Sequence, residues 1–222
     1  MPTSTMLEFE VGMKKQRIYL DYNATAPVRD SVKAAMVAAL NTVGNASSIH
    51  QEGRKARGLI ETAREQLATL INCQTKEITF TSGGTEANNL VLASDLGALG
   101  RKQPLAATLL SAVEHPSLIK ALEISKRPIE FIKVDKNGII DLENLEELLK
   151  VWQKKSDLAV LVSVMLVNNE TGIIQPIDKI SALVHKYGAF LHVDAIQALG
   201  KVEIDFATMN VDLMSLTSQK IG

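Results

Sequence analysis

From residue 77 onward, short apolar runs alternate with segments that carry apolar residues every three or four positions. The runs predict strands and the segments between them predict helices. Strands that alternate with helices require right-handed crossovers, which make the strands parallel and place helices on both faces of the sheet. The pattern therefore predicts an α/β fold, a three-layer α/β/α architecture with a mostly parallel sheet. The predicted strands are 77–81, 106–111, 129–134, 158–167, 190–193 and 211–216, and the predicted helices between them are 85–96, 116–125, 142–152 and 178–188.

Two more helices are predicted ahead of this alternation. The first spans 29–40 and begins with Asp30 or Ser31 as its N-cap. The second lies within 50–72, and its apolar spacing is typical of a helix packed on a core. The apolar stripes are Val32, Met36 and Leu40 in the first helix, and Ala56, Leu59, Ile60, Ala63, Leu67, Leu70 and Ile71 in the second.

Charge and composition exclude several classes of function. The 24 basic and 25 acidic residues nearly cancel, so nucleic acid and anionic membranes are not expected partners. The longest apolar run, 158–167, is far shorter than the roughly 20 residues of a membrane-spanning helix, and the N-terminus does not resemble a secretory signal. We therefore expect a cytoplasmic protein. The single cysteine, Cys73, excludes internal disulfides and is expected to be an ordinary thiol, and the histidine spacing predicts no metal site.

The residues that follow the predicted strands are unusual. In an open α/β sheet the carboxyl ends of the strands border the ligand crevice. Five of the six predicted strands are followed there by small, polar or ionisable residues, whereas 129–134 is followed by an ordinary turn at Asn137 and Gly138. The five segments are SGGTEANN (82–89), AVEHPS (112–117), NNETG (168–172), DAIQ (194–197) and TSQK (217–220).

Each of these segments has two interpretations. The glycines before Thr85 could free backbone N–H groups for a phosphate, or they could form a tight turn in which Thr85 caps a helix. Asp194 could bind a cationic partner, or it could cap the following helix. His115 could stack on a planar ligand or transfer protons, or it could be a neighbour of a helix cap held by Pro116.

The last two segments are equally ambiguous when taken alone. Asn168 and Asn169 could donate hydrogen bonds to a ligand or complete a turn, and Lys220 could be a solvated lysine. Taken together, the five segments supply a phosphate cup, a stacking ring, a carboxylate, amides and a lysine amine. Pyridoxal phosphate needs all of these, because it is held by its phosphate, forms a Schiff base with lysine and requires a carboxylate beside its pyridine nitrogen. The set therefore predicts a pyridoxal-phosphate site.

The same residues resemble a known family, the cysteine desulfurases, in the class V aminotransferase branch of the fold type I pyridoxal-phosphate enzymes. The resemblance covers nearly everything after residue 17 and keeps the order of the family motifs. The matching stretches are IYLDYNATAPV (18–28), GNASSIHQEGRKAR (44–57), ITFTSGGTEANNL (78–90), VEHPS (113–117), DKNGIIDLENL (135–145), VNNETGIIQPI (167–177), HVDAIQALGKVEID (192–205) and VDLMSLTSQKIG (211–222).

The resemblance implies roles for individual residues. Lys220 is similar to the Schiff-base lysine, Asp194 to the partner of the pyridine nitrogen, and His115 to the ring that stacks on the cofactor and assists proton transfer. Gln197 and Asn169 are similar to the partners of the ring oxygen.

The phosphate-binding positions of the family correspond to Gly84, Thr85 and Thr217. Gln219 stands where the family usually has histidine. Glutamine can still donate a hydrogen bond toward the phosphate, but it carries no charge.

The implied reaction removes sulfur from L-cysteine, releases L-alanine and leaves a persulfide on an enzyme cysteine. The sulfur then passes to proteins of iron–sulfur cluster assembly or of thiolation, and the family enzyme is a homodimer. Family members continue far past the lysine, into the cysteine loop and a small domain. We therefore interpret the chain as an N-terminal extension (1–17) followed by an incomplete large domain (18–222), and expect no turnover from it alone. The alternatives are a selenocysteine lyase, another class V enzyme or a non-catalytic remnant.

Overall fold

A computed structural model describes residues 18–93, 104–121 and 127–222. The helices are α1 (Asp30–Leu40), α2 (Gln51–Ile71), α3 (Gly84–Ala93), α4 (Pro116–Ala121), α5 (Leu142–Lys155), α6 (Ile177–Lys186) and α7 (Phe206–Met209). The strands are β1 (Thr108–Ser111), β2 (Ile129–Ile132), β3 (Leu161–Met165), β4 (Phe190–Asp194) and β5 (Leu213–Ser215). None of the helices in this described part is long and apolar enough to cross a bilayer.

The five strands form one sheet in the order β2-β1-β3-β4-β5, and every pair is parallel. The predicted α/β class and parallel sheet are thus confirmed. The register aligns Met165 at the end of β3 with Asp194 at the end of β4, and Asp194 with Ser215 of β5. Because the strands are parallel, the segments that follow β1, β3, β4 and β5 all leave the sheet at the same edge.

Helices cover both faces of the sheet, which gives the predicted three layers. On one face, Leu110 and Leu161 of the strands are buried together with Leu92 of α3 and Leu118 of α4. On the other face, a larger core joins strand residues to α5 and α6. Its main members are Leu109, Ile132, Val162, Val164, Leu191 and Val193 from the strands, and Leu145, Leu149, Ile177, Ile180 and Val184 from the helices. Burial on both faces explains why the strands are nearly continuous in apolar residues.

The predicted strand 77–81 is wrong as an element of this sheet. Thr75–Glu77 forms a short 3₁₀ helix, and residues 78–81 have no regular secondary structure. A strand requires a neighbour to pair its backbone N–H and C=O groups. Within the described residues, β5 pairs with β4 alone and nothing pairs with 78–81. The β-type composition of this segment is therefore not sufficient to make it a strand here.

The two helices at the N-terminal side are confirmed in extent but not in burial. The predicted cap of α1 is wrong by one residue, because Arg29 occupies the N-cap without a side-chain hydrogen bond and Asp30 pairs with Lys33 instead. No residue of α1 is buried, so its apolar stripe faces a shallow groove and solvent. In α2 only Gly53, Ala68 and Ile71 are buried, so this helix packs on the core mainly at its C-terminal end.

The other predicted helices agree with the structure where it describes them. The ends of two of them, 94–96 and 122–125, and the extension 1–17 lie outside the described residues. Helix α7 was not predicted. It is a single turn capped by Asp205, whose side chain accepts a hydrogen bond from the backbone N–H of Thr208.

Candidate cofactor-binding site

A cavity of about 600 Å³ lies at the carboxyl edge of the sheet. Its volume is within the usual range of small-molecule sites. All nine residues that the sequence predicts for the cofactor lie in its lining, namely Gly84, Thr85, His115, Asn169, Asp194, Gln197, Thr217, Gln219 and Lys220. They come from segments that are far apart in the chain, and the parallel sheet brings them together.

The N-terminus of α3 forms one wall of the cavity. A Cβ atom added to Gly84 would lie 2.4 Å from Cδ1 of Ile196 and 3.7 Å from Cβ of Thr217, so glycine permits α3 to approach the segments after β4 and β5. Glu86 accepts a hydrogen bond from the Ser82 N–H at 2.6 Å. Hydrogen bonding from the Ser82 side chain, followed by this N–H, lowers the pKa of its carboxyl group. The N–H groups of the first turn of a helix have no partner within the helix, and they bind anions favourably. This wall therefore suits a phosphate.

Asp194 lies at the base of the cavity and is 4% exposed. Its carboxylate accepts hydrogen bonds from Asn88 Nδ2 at 2.8 Å and from the Ile196 N–H at 2.9 Å. Burial raises the pKa of this carboxyl group above its ordinary value. Among the described residues no lysine or arginine forms an ion pair with it. A buried carboxylate in this position would be stabilised by a cationic ligand.

Glu114 is a second buried carboxyl group next to this site. Its Oε1 accepts a hydrogen bond from the Met165 N–H at 2.6 Å, which ties the segment after β1 to the end of β3. Its Oε2 is buried without a hydrogen-bond partner in the described part of the chain. Burial, followed by repulsion from Asp194, raises the pKa of Glu114 well above its ordinary value. Burial raises the pKa of both carboxyl groups, so each favours its neutral form more than an exposed carboxyl group does.

The turn at residues 21–24 forms another wall of the cavity and holds Lys220. The Lys220 amine donates hydrogen bonds to the carbonyl oxygens of Asn23 at 2.7 Å and Ala24 at 2.6 Å. Gln197 donates to the same Asn23 oxygen at 2.8 Å, and Lys201 donates to the Asn23 side chain at 3.0 Å. Burial, followed by repulsion from Lys220, lowers the pKa of Lys201. An imine nitrogen carries at most one N–H, so Lys220 must give up at least one of these two hydrogen bonds to form an imine with a ligand in the cavity.

The two asparagines after β3 have different surroundings. Asn168 completes the turn, because its Oδ1 accepts hydrogen bonds from the N–H groups of Glu170 and Thr171, both at 2.9 Å. Asn169 lies in the cavity lining, and its backbone oxygen accepts a hydrogen bond from Asn23 Nδ2 at 3.3 Å. The structural interpretation therefore applies to Asn168, and Asn169 is the residue available to a ligand.

Several residues of this site were not predicted as site residues from the sequence. Asn23, Asn88 and Lys201 bond directly to predicted site residues, and Ser117 bonds to His115. For Asn88 the signal was its place in SGGTEANN (82–89), a segment that follows a predicted strand. For Asn23 the signal was its place in the stretch IYLDYNATAPV, which was used for the resemblance alone.

A second groove of about 670 Å³ lies between α1 and α2. None of the predicted site residues lines it. It is shallow and bordered mainly by the apolar faces of the two helices, so it offers little to orient a polar ligand.

Comparison with known proteins shows the family of this chain. The family described as Aminotransferase class-V matches residues 18–222. The chain belongs to the class V aminotransferase family. The chain is 40% identical over 208 residues to a curated protein, the cysteine desulfurase IscS of Ehrlichia chaffeensis. The alignment covers 92% of this chain and 49% of that protein. It is 37% identical to the cysteine desulfurase IscS of Dictyoglomus turgidum, and that alignment covers 93% of this chain and 51% of the relative.

Solved structures of class V relatives share the fold. A NifS-like protein from Rickettsia africae superposes with a TM-score of 0.82 at 35% identity, covering 93% of this chain and 55% of that protein. Another NifS-like protein superposes with a TM-score of 0.81 at 31% identity. The class V chain therefore spans about half the length of the relatives that it matches.

Proposed function

We propose that this chain carries the pyridoxal-phosphate site of a cysteine desulfurase, an enzyme that takes sulfur from L-cysteine and releases L-alanine. The observation that supports this most is the common cavity lined by all nine predicted site residues. The names of the relatives support the same reaction, since those compared above are cysteine desulfurases or NifS-like proteins. The proposed partners are L-cysteine, a second copy of the whole enzyme and a sulfur-accepting protein. We place the reaction in the cytoplasm, where an unpaired cysteine such as Cys73 stays reduced.

The residues of the cavity fit pyridoxal phosphate. The first turn of α3, which contains Thr85, would hold the phosphate together with Thr217. Asp194, buried and without a cationic partner in the described chain, would accept a hydrogen bond from the protonated pyridine nitrogen. Lys220 would hold the aldehyde carbon. When bound, the cofactor supplies an electron sink that stabilises negative charge at the substrate Cα.

The chain's own groups have separable tasks in this proposal. Lys220 has an amine that can bind the cofactor and, once released, can take up a proton. Asp194 keeps a negative charge at the base of the cavity, while burial favours the neutral form of Glu114. Gln197 and Asn169 lie in the lining and can orient a ring oxygen by hydrogen bonds.

Cys73 does not provide the sulfur-accepting nucleophile in this proposal. It lies outside the cavity lining, and its thiol packs partly against the core of the sheet. Burial, followed by the charge of Glu77, raises the pKa of this thiol, which disfavours the reactive thiolate. Since Cys73 is the single cysteine of the 222 residues, we expect this chain alone to show no repeated turnover.

Cofactor loading tests the site directly. The protein is incubated with pyridoxal phosphate, reduced with borohydride, digested and analysed by mass spectrometry. We expect a visible absorption band before reduction and a covalent adduct on Lys220. Lys201→Ala is the matched control, because Lys201 shares Asn23 with Lys220 but lies outside the cavity lining. The adduct should persist in Lys201→Ala and disappear in Lys220→Ala.

Two outcomes would contradict the proposal. Equal labelling of many lysines in all three proteins would mean nonspecific amine chemistry, and no adduct in any of them would indicate a remnant that does not load the cofactor. Turnover is measured separately, by alanine release from L-cysteine. Repeated alanine release with persulfide on Cys73 would refute the expectation that the chain alone is inactive. Faster release of alanine from selenocysteine than from cysteine in the whole enzyme would favour a selenocysteine lyase.

A further inference from the structure

A hydrogen-bonded chain that is buried at Asp194, Asn88 and Ser117 connects Asp194 to His115. Asn88, on α3, is completely buried and uses its Nδ2 for two bonds, to Asp194 Oδ2 at 2.8 Å and to Ser117 Oγ at 3.2 Å. Ser117 Oγ in turn lies 2.8 Å from His115 Nδ1. Asp194 and Ser117 are 4% and 8% exposed, so bulk water competes little for the two bonds of Asn88. The His115 ring is exposed, and its bonds to Ser117 are part-buried.

The direction of each bond follows from which groups can donate. The backbone N–H of Ser117 lies 3.1 Å from His115 Nδ1, and a backbone N–H can only donate. His115 Nδ1 must therefore carry a lone pair and no proton. The hydroxyl of Ser117 must also donate to Nδ1, which leaves its oxygen free to accept from Asn88.

The orientation of the Asn88 amide is determined by the same reasoning. An ionised carboxylate accepts hydrogen bonds and cannot donate them, so Nδ2 has to face Asp194. The reversed amide would place Oδ1 against the carboxylate and would lose both bonds. In the observed orientation Oδ1 is the atom without a partner in the described residues.

We propose that Asn88 and Ser117 are positioning residues that hold the His115 ring in the tautomer with its proton on Nε2. No hydrogen bond to Nε2 is found in the described chain, and His115 lies in the cavity lining. The resting ring therefore offers the cavity an N–H donor and cannot accept a proton at Nε2. The same Asn88 amide also holds the Asp194 carboxylate, so one side chain sets both groups. The tautomer assignment stands on the chain alone, and what the donor would meet in the cavity rests on the proposed function.

Nitrogen NMR of the histidine rings tests this inference on the protein without cofactor. Long-range proton–nitrogen spectra are recorded at about pH 8.5, above the ordinary pKa of an imidazole. His115 signals are assigned from their absence in His115→Asn. We expect an unprotonated, hydrogen-bonded Nδ1 and a protonated Nε2. In Ser117→Ala the loss of one donor should lower the ratio of the two tautomers by about five-fold, and Ser117→Thr should restore it.

Ser163→Ala is the matched control. Ser163 is also a buried serine, and its Oγ likewise lies 2.8 Å from the Nδ1 atom of a histidine, His192. Its removal should change the His192 signals and leave those of His115 as in wild type. A protonated Nδ1 on wild-type His115, or an unchanged His115 tautomer ratio in Ser117→Ala, would overturn the inference. Neither result depends on Lys220 labelling, so a failure of the proposed function is recognised separately.

Discussion

His192 of β4 is hydrogen-bonded to serines of both neighbouring strands, and its buried ring gives a quantitative prediction for stability. Its ring is completely buried, with Nδ1 2.8 Å from Ser163 Oγ on β3 and Nε2 3.0 Å from Ser215 Oγ on β5. The imidazole therefore links three strands directly beneath the site. Neither hydroxyl can compensate a positive charge, and burial lowers the pKa of His192 from 6.5 to about 3.

This shift predicts how stability depends on pH. In the unfolded chain the imidazole binds a proton near its ordinary pKa of about 6.5, whereas the folded protein resists protonation down to about pH 3. Between these values the unfolded state holds more protons, so the free energy of unfolding falls as the pH falls. One pH unit corresponds to about 1.36 kcal/mol, so acidification from about pH 7.5 to about pH 5 should cost about 2 kcal/mol through this residue.

Urea unfolding of wild type and His192→Gln at both pH values measures this cost. Glu114 and Asp194, whose pKa values burial raises, change stability in the opposite direction, but they are present in both proteins. The difference between the two proteins therefore isolates His192. We expect wild type to lose about 2 kcal/mol relative to the variant at about pH 5.

Ser163→Ala is the control for the loss of a hydrogen bond without loss of the titrating ring. It should be less stable than wild type at both pH values and should keep the same fall in stability on acidification. A gap between wild type and His192→Gln that is equal at both pH values would refute the reasoning, because it would mean that the ring is charged to the same extent in the folded and unfolded states.

Three further predictions follow from the same structure. Along α2, Gly58→Ala should stabilise the protein by about 0.5–1 kcal/mol, because the added Cβ meets nothing within 4 Å. Gly53→Ala should destabilise the protein by about 1–3 kcal/mol, because its Cβ would lie 2.3 Å from a backbone oxygen. Thermal unfolding of both variants checks these two expectations. In the core, Leu191→Ala should lower the free energy of unfolding in urea by about 2–5 kcal/mol. Leu70 is 63% exposed, so Leu70→Ala should lower it by about 0.5 kcal/mol or less. At the site, Asp194→Asn should weaken pyridoxal-phosphate binding about 10- to 100-fold, because a charge-assisted hydrogen bond becomes a neutral one. A spectroscopic titration measures this affinity, and an unchanged value would contradict the role assigned to the carboxylate.

Much of the fold can be predicted from local pattern. The near-continuous apolar runs predict β1, β3 and β4 because strands buried on both faces need apolar residues at every position. The ends of α2 are similarly local, since His50 accepts a hydrogen bond from the Gly53 N–H and Asn72 adopts the left-handed conformation that ends a helix. These features depend on residues that are close in sequence.

The candidate site could be predicted only in part. The residues that follow the strands could be predicted to lie together, because parallel strands end at the same edge of a sheet. Asn88 and Ser117 lie within two of these segments, 82–89 and 112–117, but the partners of their side chains could not be recognised in this way. Their roles depend on how α3 and α4 pack over the sheet, and Asn88 meets Asp194, 106 positions away in sequence.

The sequence by itself predicted the α/β class, a mostly parallel sheet and nine residues that line one cavity, because periodicity and strand exits are local properties. Only the tertiary structure decided that 78–81 is not a strand and that the apolar stripe of α1 is not buried, because both depend on whether another segment pairs with or covers them. It also decided that Lys220 donates to the carbonyl oxygens of Asn23 and Ala24 and that the Ser117 N–H donates to His115 Nδ1. Hydrogen-bond direction is a property of neighbours in space, and residues distant in the chain supply them.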